Sequence, residues 1–300
     1  MIELCSILAE LIRCLAGYTR IIPGILLALL LVLQPTVSFA QSAQAAQDGP
    51  VVPDRAALEE AQAFFYNGEY DRSAALTQTL LQSEPGNLSL YELRTSALLF
   101  QIKRLIGDPA DKDKALKQCD RCAALIEAFQ RDTASGRVQA HSQLKANPND
   151  DNAQFMLGKL DLNHVWLYLG TLGRRTGWNE YWEARHSLDA VLERNPQHMR
   201  ARLARAWIDY IVDTRMNWGT RWILGGGNKK KALATMQEAA ATAGDPYVSA
   251  EARFALWDVQ VREKNMAAAL VTAQGLSVDY PRNAELTRFI ALHAPALRSK

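Results

Sequence analysis

The sequence predicts an all-α protein assembled from a run of stacked helical pairs, and three observations lead there. Apolar residues recur at helical spacing in almost every segment beyond residue 57, as in Ala61, Phe64 and Phe65, or Leu93, Ala97 and Leu98. No stretch alternates apolar and polar residues for long enough to make a half-buried strand. Prolines return after small-residue-rich segments, at Glu84-Pro85, Asn147-Pro148, Asn195-Pro196, Asp245-Pro246 and Tyr280-Pro281. Proline cannot extend a helix, so each is expected to mark the turn into the next pair.

The first forty residues differ in composition from the rest. Arg13 and Arg20 precede an apolar run, Ile21 to Leu33, broken only by Pro23 and Gly24. That run falls short of the ~20 apolar residues needed to span a hydrocarbon core. Ser38-Phe39-Ala40 then supplies small residues at a peptidase site. Residues 1–40 are therefore expected to be an export signal cleaved near Ala40, sending the chain to the periplasm or cell envelope. An uncleaved anchor is the alternative, given amphipathic material in Leu4 to Leu15, and only in that case is membrane association expected. Neither Cys5 nor Cys14 stands where a lipoprotein would need a cysteine. Residues 41–56, rich in small polar residues and carrying Pro50 and Pro53, read as a flexible tether. The helical domain is expected over 57–300.

Within it a period emerges. Ala61, Phe64, Gly68, Tyr70, Ser73 and Pro85 form one set, and Leu256, Ala269, Ala273, Leu276 and Pro281 form the last. Ala184, Leu188, Val191 and Pro196, and Ala232, Met236 and Ala239, repeat the second-helix part, while Leu157-Gly158 and Leu203-Ala204 match the first-helix small position. In these residues the chain resembles the tetratricopeptide repeat (TPR) family, whose unit is two antiparallel helices with small residues at their crossing and a proline at the closing turn. The resemblance covers roughly residues 54–283 and is degenerate: Glu60 and Gln260 stand at usually apolar places, and extra residues separate the helices at Lys103 to Asp113, Tyr168 to Glu180 and Thr214 to Lys231. It implies a right-handed α-solenoid of about five helical pairs, with Asn283 to Leu297 as a C-terminal capping helix. It also implies a concave surface lined by the first helices, and a scaffold that binds protein or peptide.

Little in the chain suggests catalysis. His141, His164, His186, His198 and His293 are scattered along the sequence, and no metal-ligand spacing, nucleophile elbow or Walker A loop is present. No enzyme activity, cofactor or metal is expected. A net charge of +2, unchanged by loss of residues 1–40, offers no field for nucleic acid. Cys119 and Cys122 are placed in a helix over Lys112 to Arg131, either as core thiols or as an intrahelical disulfide.

The segment from Arg174 to Lys231 stands out. It carries twelve basic and six acidic residues, and six of the seven tryptophans lie in or near it, two pairs of them spaced Trp-x-x-x-Trp. Arg174, Arg175, Trp178, Trp182, Trp218, Arg221, Trp222, Asn228, Lys229, Lys230 and Lys231 are the candidate binding residues. Arginine and tryptophan dominate binding hot spots, and Gly225-Gly226-Gly227 before Asn228 as helix N-cap suits an anion, so a partly acidic partner is expected. Two other readings remain: a small-ligand or solute-binding subunit of an envelope transport system, and an envelope protein contacting anionic lipid or polymer. In a bland reading the tryptophans pack the insertions onto the solenoid, and the glycines are an ordinary turn.

Overall fold

The computed structural model describes residues 55–298 apart from 175 and 243, and of 295–298 the backbone alone. The leader at 1–40, all but the last two residues of the tether, and Arg175 lie outside the described residues. Within them the protein is all-α. Helices α1 (Arg55–Tyr66) and α2 (Tyr70–Ser83) form the first pair, and α3 (Leu88–Ile106) and α5 (Cys122–Ala146) the second, with the short α4 (Lys112–Lys117) between them. The third pair is α6 (Asp151–Val165) with α7 (Trp178–Arg194), separated by a π-helical turn at Trp166–Thr171. The fourth is α8 (Met199–Arg215) with α10 (Lys229–Ala241), between which sits α9 (Trp218–Ile223). Then come α11 (Pro246–Arg262) with α12 (Met266–Asp279), and α13 (Ala284–Arg298) caps the stack.

The closing turns share local chemistry. Short Pro-x-Asn, Pro-x-Asp or Pro-x-His segments break one helix and cap the next: Asn87, Asp150 and His198 accept from backbone N–H groups in the first turns of α3, α6 and α8, and Asn283 does so for α13. Asp245-Pro246 behaves differently from the other prolines. Asp245 caps α11 and Pro246 occupies its first turn, where a missing N–H costs nothing, so this proline opens a helix instead of ending one.

Small residues stand where the helices cross. Ala97, Ala184, Ala201, Ala232, Ala252, Ala269 and Ala273 are buried, and a methyl on Gly158 would come within 3.3 Å of the Ala184 carbonyl. Close approach lets large side chains such as Phe129, Leu160, Leu188 and Leu203 disappear from solvent, each worth about 1.5–3 kcal/mol. Clusters centred on Phe129, Leu188, Met236 and Leu276 follow one another along the stack, which is the core of an α-solenoid.

The expected helix over Lys112 to Arg131 does not form. Residues 118–121 make a turn, with Cys122 N–H donating to the Cys119 carbonyl at 3.1 Å, and a disulfide joins Cys119 to Cys122 across it, Cα–Cα 5.4 Å. The chain must turn there so that α5 can return antiparallel on α3; a continued helix would have carried it past. Beyond the turn α5 runs unbroken through Ser135 to Lys145.

Candidate functional site

The concave face lined by the first helices is occupied by the protein's own side chains. Glu92 on α3, Lys159 on α6, Arg200 on α8, and Tyr247 and Glu251 on α11 converge there. Lys159 Nζ lies 2.7 Å from Glu251 and 3.5 Å from Glu92, and Arg200 lies 2.8 Å from Glu251 and 3.4 Å from Glu92. The Tyr247 hydroxyl donates to Glu92 at 3.2 Å, and the Arg200 guanidinium rests over the Phe155 and Tyr247 rings. Burial alone would raise the Glu251 carboxyl, but Arg200 and Lys159 outweigh it and hold it at about 2. Burial pushes the Tyr247 and Tyr66 hydroxyls well above the usual tyrosine range.

Next to this network the first pair meets the last. The Tyr66 ring stacks on Phe254 at 5.2 Å and touches Tyr247 and Tyr280. Asn283 donates to the Tyr66 carbonyl at 2.8 Å, the Arg282 N–H donates to Asn67 at 3.0 Å, and Arg104 bridges the Gly68 carbonyl and Glu285. The superhelix is thereby closed on itself. Nothing in the sequence brings these residues together, because they come from helices and turns far apart in the chain and each is unremarkable in its own segment.

A second cluster gathers Arg137 and His141 from α5, Asp161 and His164 from α6, and Glu180 and Glu183 from α7. Arg137 lies 3.1 Å from Asp161, 3.6 Å from Glu180 and 2.5 Å from Glu183, while His141 approaches Glu183 at 3.3 Å and His164 approaches Glu180 at 4.0 Å. One arginine thus faces three carboxyl groups. Burial, with Glu183 and Glu180 nearby and Arg137 opposing, pushes Asp161 up to about 8; burial also lowers His164. Two histidines that look scattered in sequence therefore share one site. Among the described residues no group of three or more His, Cys, Asp or Glu side chains could hold a metal ion.

The candidate residues between Arg174 and Lys231 divide. Arg174 pairs with Asp113 at 2.9 Å. Trp182 packs on the core with its ring against Tyr181, whereas Trp178, at the start of α7, is 44% exposed. Trp218 and Trp222 on α9 are 83% and 79% exposed. Arg221 pairs with Asp213, and Asn228 caps α10 by accepting from the Lys231 N–H. Lys229 pairs with Glu263 at 2.5 Å, which explains a lysine in a first helical turn that the dipole opposes. Lys230 and Lys231 are exposed.

Two expectations are corrected here. The local excess of positive charge is mostly spent inside the chain: Arg185, Arg194, Arg200, Arg202 and Arg205 are also ion-paired, so of the described cations in this segment only Arg215, Lys230 and Lys231 have no ion pair. Nor is the glycine turn an anion cradle. The N–H groups of Gly225, Gly226 and Lys229 donate to Trp222, Arg221 and Asp213, and Arg185 donates to the Leu224 and Gly225 carbonyls at 2.7 and 3.0 Å. Gly225 and Gly226 hold φ of +77° and +74°, and a methyl on Gly227 would lie 2.5 Å from the Asp209 carbonyl.

Between the two insertions lies an apolar cleft. Leu169, Thr176, Trp178, Ile211, Met216 and Leu224 are among the residues that line it, and its cavity measures about 40 Å³. A polar groove of about 210 Å³ runs beside Arg202, Arg205 and Lys231.

No family model matches the chain, and no curated protein matches it. Among solved structures it is similar to TTC0263, a thermophilic TPR protein in Thermus thermophilus, at 15% identity and a TM-score of 0.42 over 79% of this chain and 97% of that one.

Proposed function

We propose that this protein is a non-catalytic docking scaffold of the cell envelope that holds a protein segment at the cleft between its two Trp-containing insertions. The observation that carries the reading is the cleft itself, an apolar slot with a half-exposed tryptophan at its rim. A partner's aliphatic side chain entering it would bury apolar surface on both sides, and a large aromatic anchor beside a small pocket is how binding energy is concentrated. Closure of the superhelix supports an outer site, since a segment laid along the inside would have to displace buried ion pairs. The cleft volume favours a side chain over a solute, because small-molecule sites usually measure several hundred Å³. Envelope placement is supported by the signal-like residues 1–40 and by the Cys119–Cys122 disulfide, which suits an oxidising compartment.

A photo-crosslinking residue installed at position 178 in living cells tests the docking reading, with position 138 on α5, which is also exposed, as the comparison. A discrete adduct at 178 that disappears in Met216→Arg is expected. Equal labelling at both positions would remove the cleft as a docking site. N-terminal sequencing of the isolated protein is expected to begin near Gln41.

A further inference from the structure

Helix α9 carries Trp218 and Trp222 four residues apart, so both rings leave the same side of the helix. Both are about four-fifths exposed, and Ile223 beside them is 44% exposed. Holding two indoles and an isoleucine in water forgoes the burial that assembles the rest of the protein, so folding does not account for them. The helix is capped by Asn217, which accepts from the Thr220 N–H at 2.9 Å, and is tied to the body by the Arg221–Asp213 pair and by Leu224, buried at its end. The same Asp213 accepts the Lys229 N–H at 2.8 Å, so α9 and the start of α10 hang from one carboxylate. Asp213 and Glu263, which touch this corner, are both engaged. Arg215, just before α9, and Lys230 and Lys231, at the start of α10, are exposed and have no ion pair among the described residues.

We propose that this corner seats the protein on an anionic lipid surface, with the Trp218 and Trp222 rings entering the boundary between headgroups and acyl chains and Arg215, Lys230 and Lys231 meeting lipid phosphates. Indole suits that boundary because its ring is apolar and its N–H keeps a polar partner. Rings that project from a helix need a matching pocket in a protein partner, whereas a bilayer receives them without one. Cations left unpaired beside them complement a negatively charged leaflet. At six residues α9 is about 9 Å long and can lie in the interface, and no described helix is long and apolar enough to cross a membrane. The contact is shallow, and therefore reversible.

The test is co-sedimentation of the protein, as isolated from its cells, with phosphatidylcholine vesicles lacking or containing phosphatidylglycerol. Wild type and variants carry the same N-terminus, so whatever it contributes cancels. Binding to the phosphatidylglycerol vesicles that weakens with salt is expected. Partitioning should fall at least about tenfold in Trp218→Ala/Trp222→Ala and also in Lys230→Glu/Lys231→Glu, both with unchanged thermal midpoints. Equal partitioning of wild type and both variants, or none by wild type, overturns the proposal. Quenching of wild-type tryptophan fluorescence by poly-glutamate without vesicle binding would make the corner a surface for an acidic protein and would also overturn it. Crosslinking at position 178 is unaffected by these variants if the cleft docks protein, so the two readings fail separately.

Discussion

The inside of the superhelix and its α9 corner use the same kinds of residue to opposite ends. Inside, Lys159 and Arg200 are enclosed with Glu92 and Glu251, and the Arg200 guanidinium lies against the Phe155 and Tyr247 rings. At the corner, Arg215, Lys230 and Lys231 stand in water beside Trp218 and Trp222. A buried charge must be paired, because desolvating it alone costs several kcal/mol; the interior residues are therefore committed to the fold. Exposed cations and rings contribute little to folding, which leaves them available for something outside the chain.

The largest effect should come from breaking the interior. Arg200→Ala leaves Glu92 and Glu251 with Lys159 as their only cation among the described residues and is expected to cost about 3–5 kcal/mol in urea unfolding; a loss below about 1 kcal/mol would erase the contrast between the regions. Gly227→Ala asks whether the corner is as rigid as its hydrogen bonds suggest. Its new methyl would press on the backbone of Asp209 and Asp213, and a loss on the order of 1–3 kcal/mol is expected in the same assay.

A third prediction concerns pH. Asp161 is raised to about 8, so between the unfolded carboxylate value near 4 and about 8 the native state holds a proton that the unfolded chain has released. Stability from this group is therefore fully present below pH ~4 and falls as pH rises towards 8. Asp161→Asn should flatten that decline and raise the thermal midpoint at pH 8, while a parallel pH profile would show that the cluster does not titrate in this way. Glu251 runs in the opposite sense: held at about 2, it contributes stability at neutral pH that is lost as pH falls from ~4.5 through 2. The smallest effect belongs to the corner, where Trp218→Ala/Trp222→Ala should change unfolding free energy by less than about 0.5 kcal/mol. A larger loss would mean the rings support the fold after all.

How much of this was legible in the sequence follows from the range of each interaction. The helices, their pairing and the cap were readable from apolar spacing, small residues and the Pro-x-cap turns, all of which act within a few residues. Asp245-Pro246 marks the turn into the next pair as expected, though from inside it: behind a capping aspartate the proline opens α11. The turn at Cys119 was missed because α4 and α5 share a helical pattern, and only the return of α5 onto α3 breaks it. At the candidate site, the tryptophan and lysine content was visible, but counting charges could not tell Lys229, which meets Glu263, from Lys230, which has no ion pair among the described residues.

What the sequence determined by itself is therefore the all-α architecture, since helix periodicity, caps and breakers are local and each helix carries its own instructions. Tertiary structure alone decided that the superhelix closes, that Tyr247 reaches Glu92 across 155 residues, and which cations remain unpaired. Those outcomes depend on the angle at which each pair stacks on the last, a small rotation summed over five pairs that no single segment encodes.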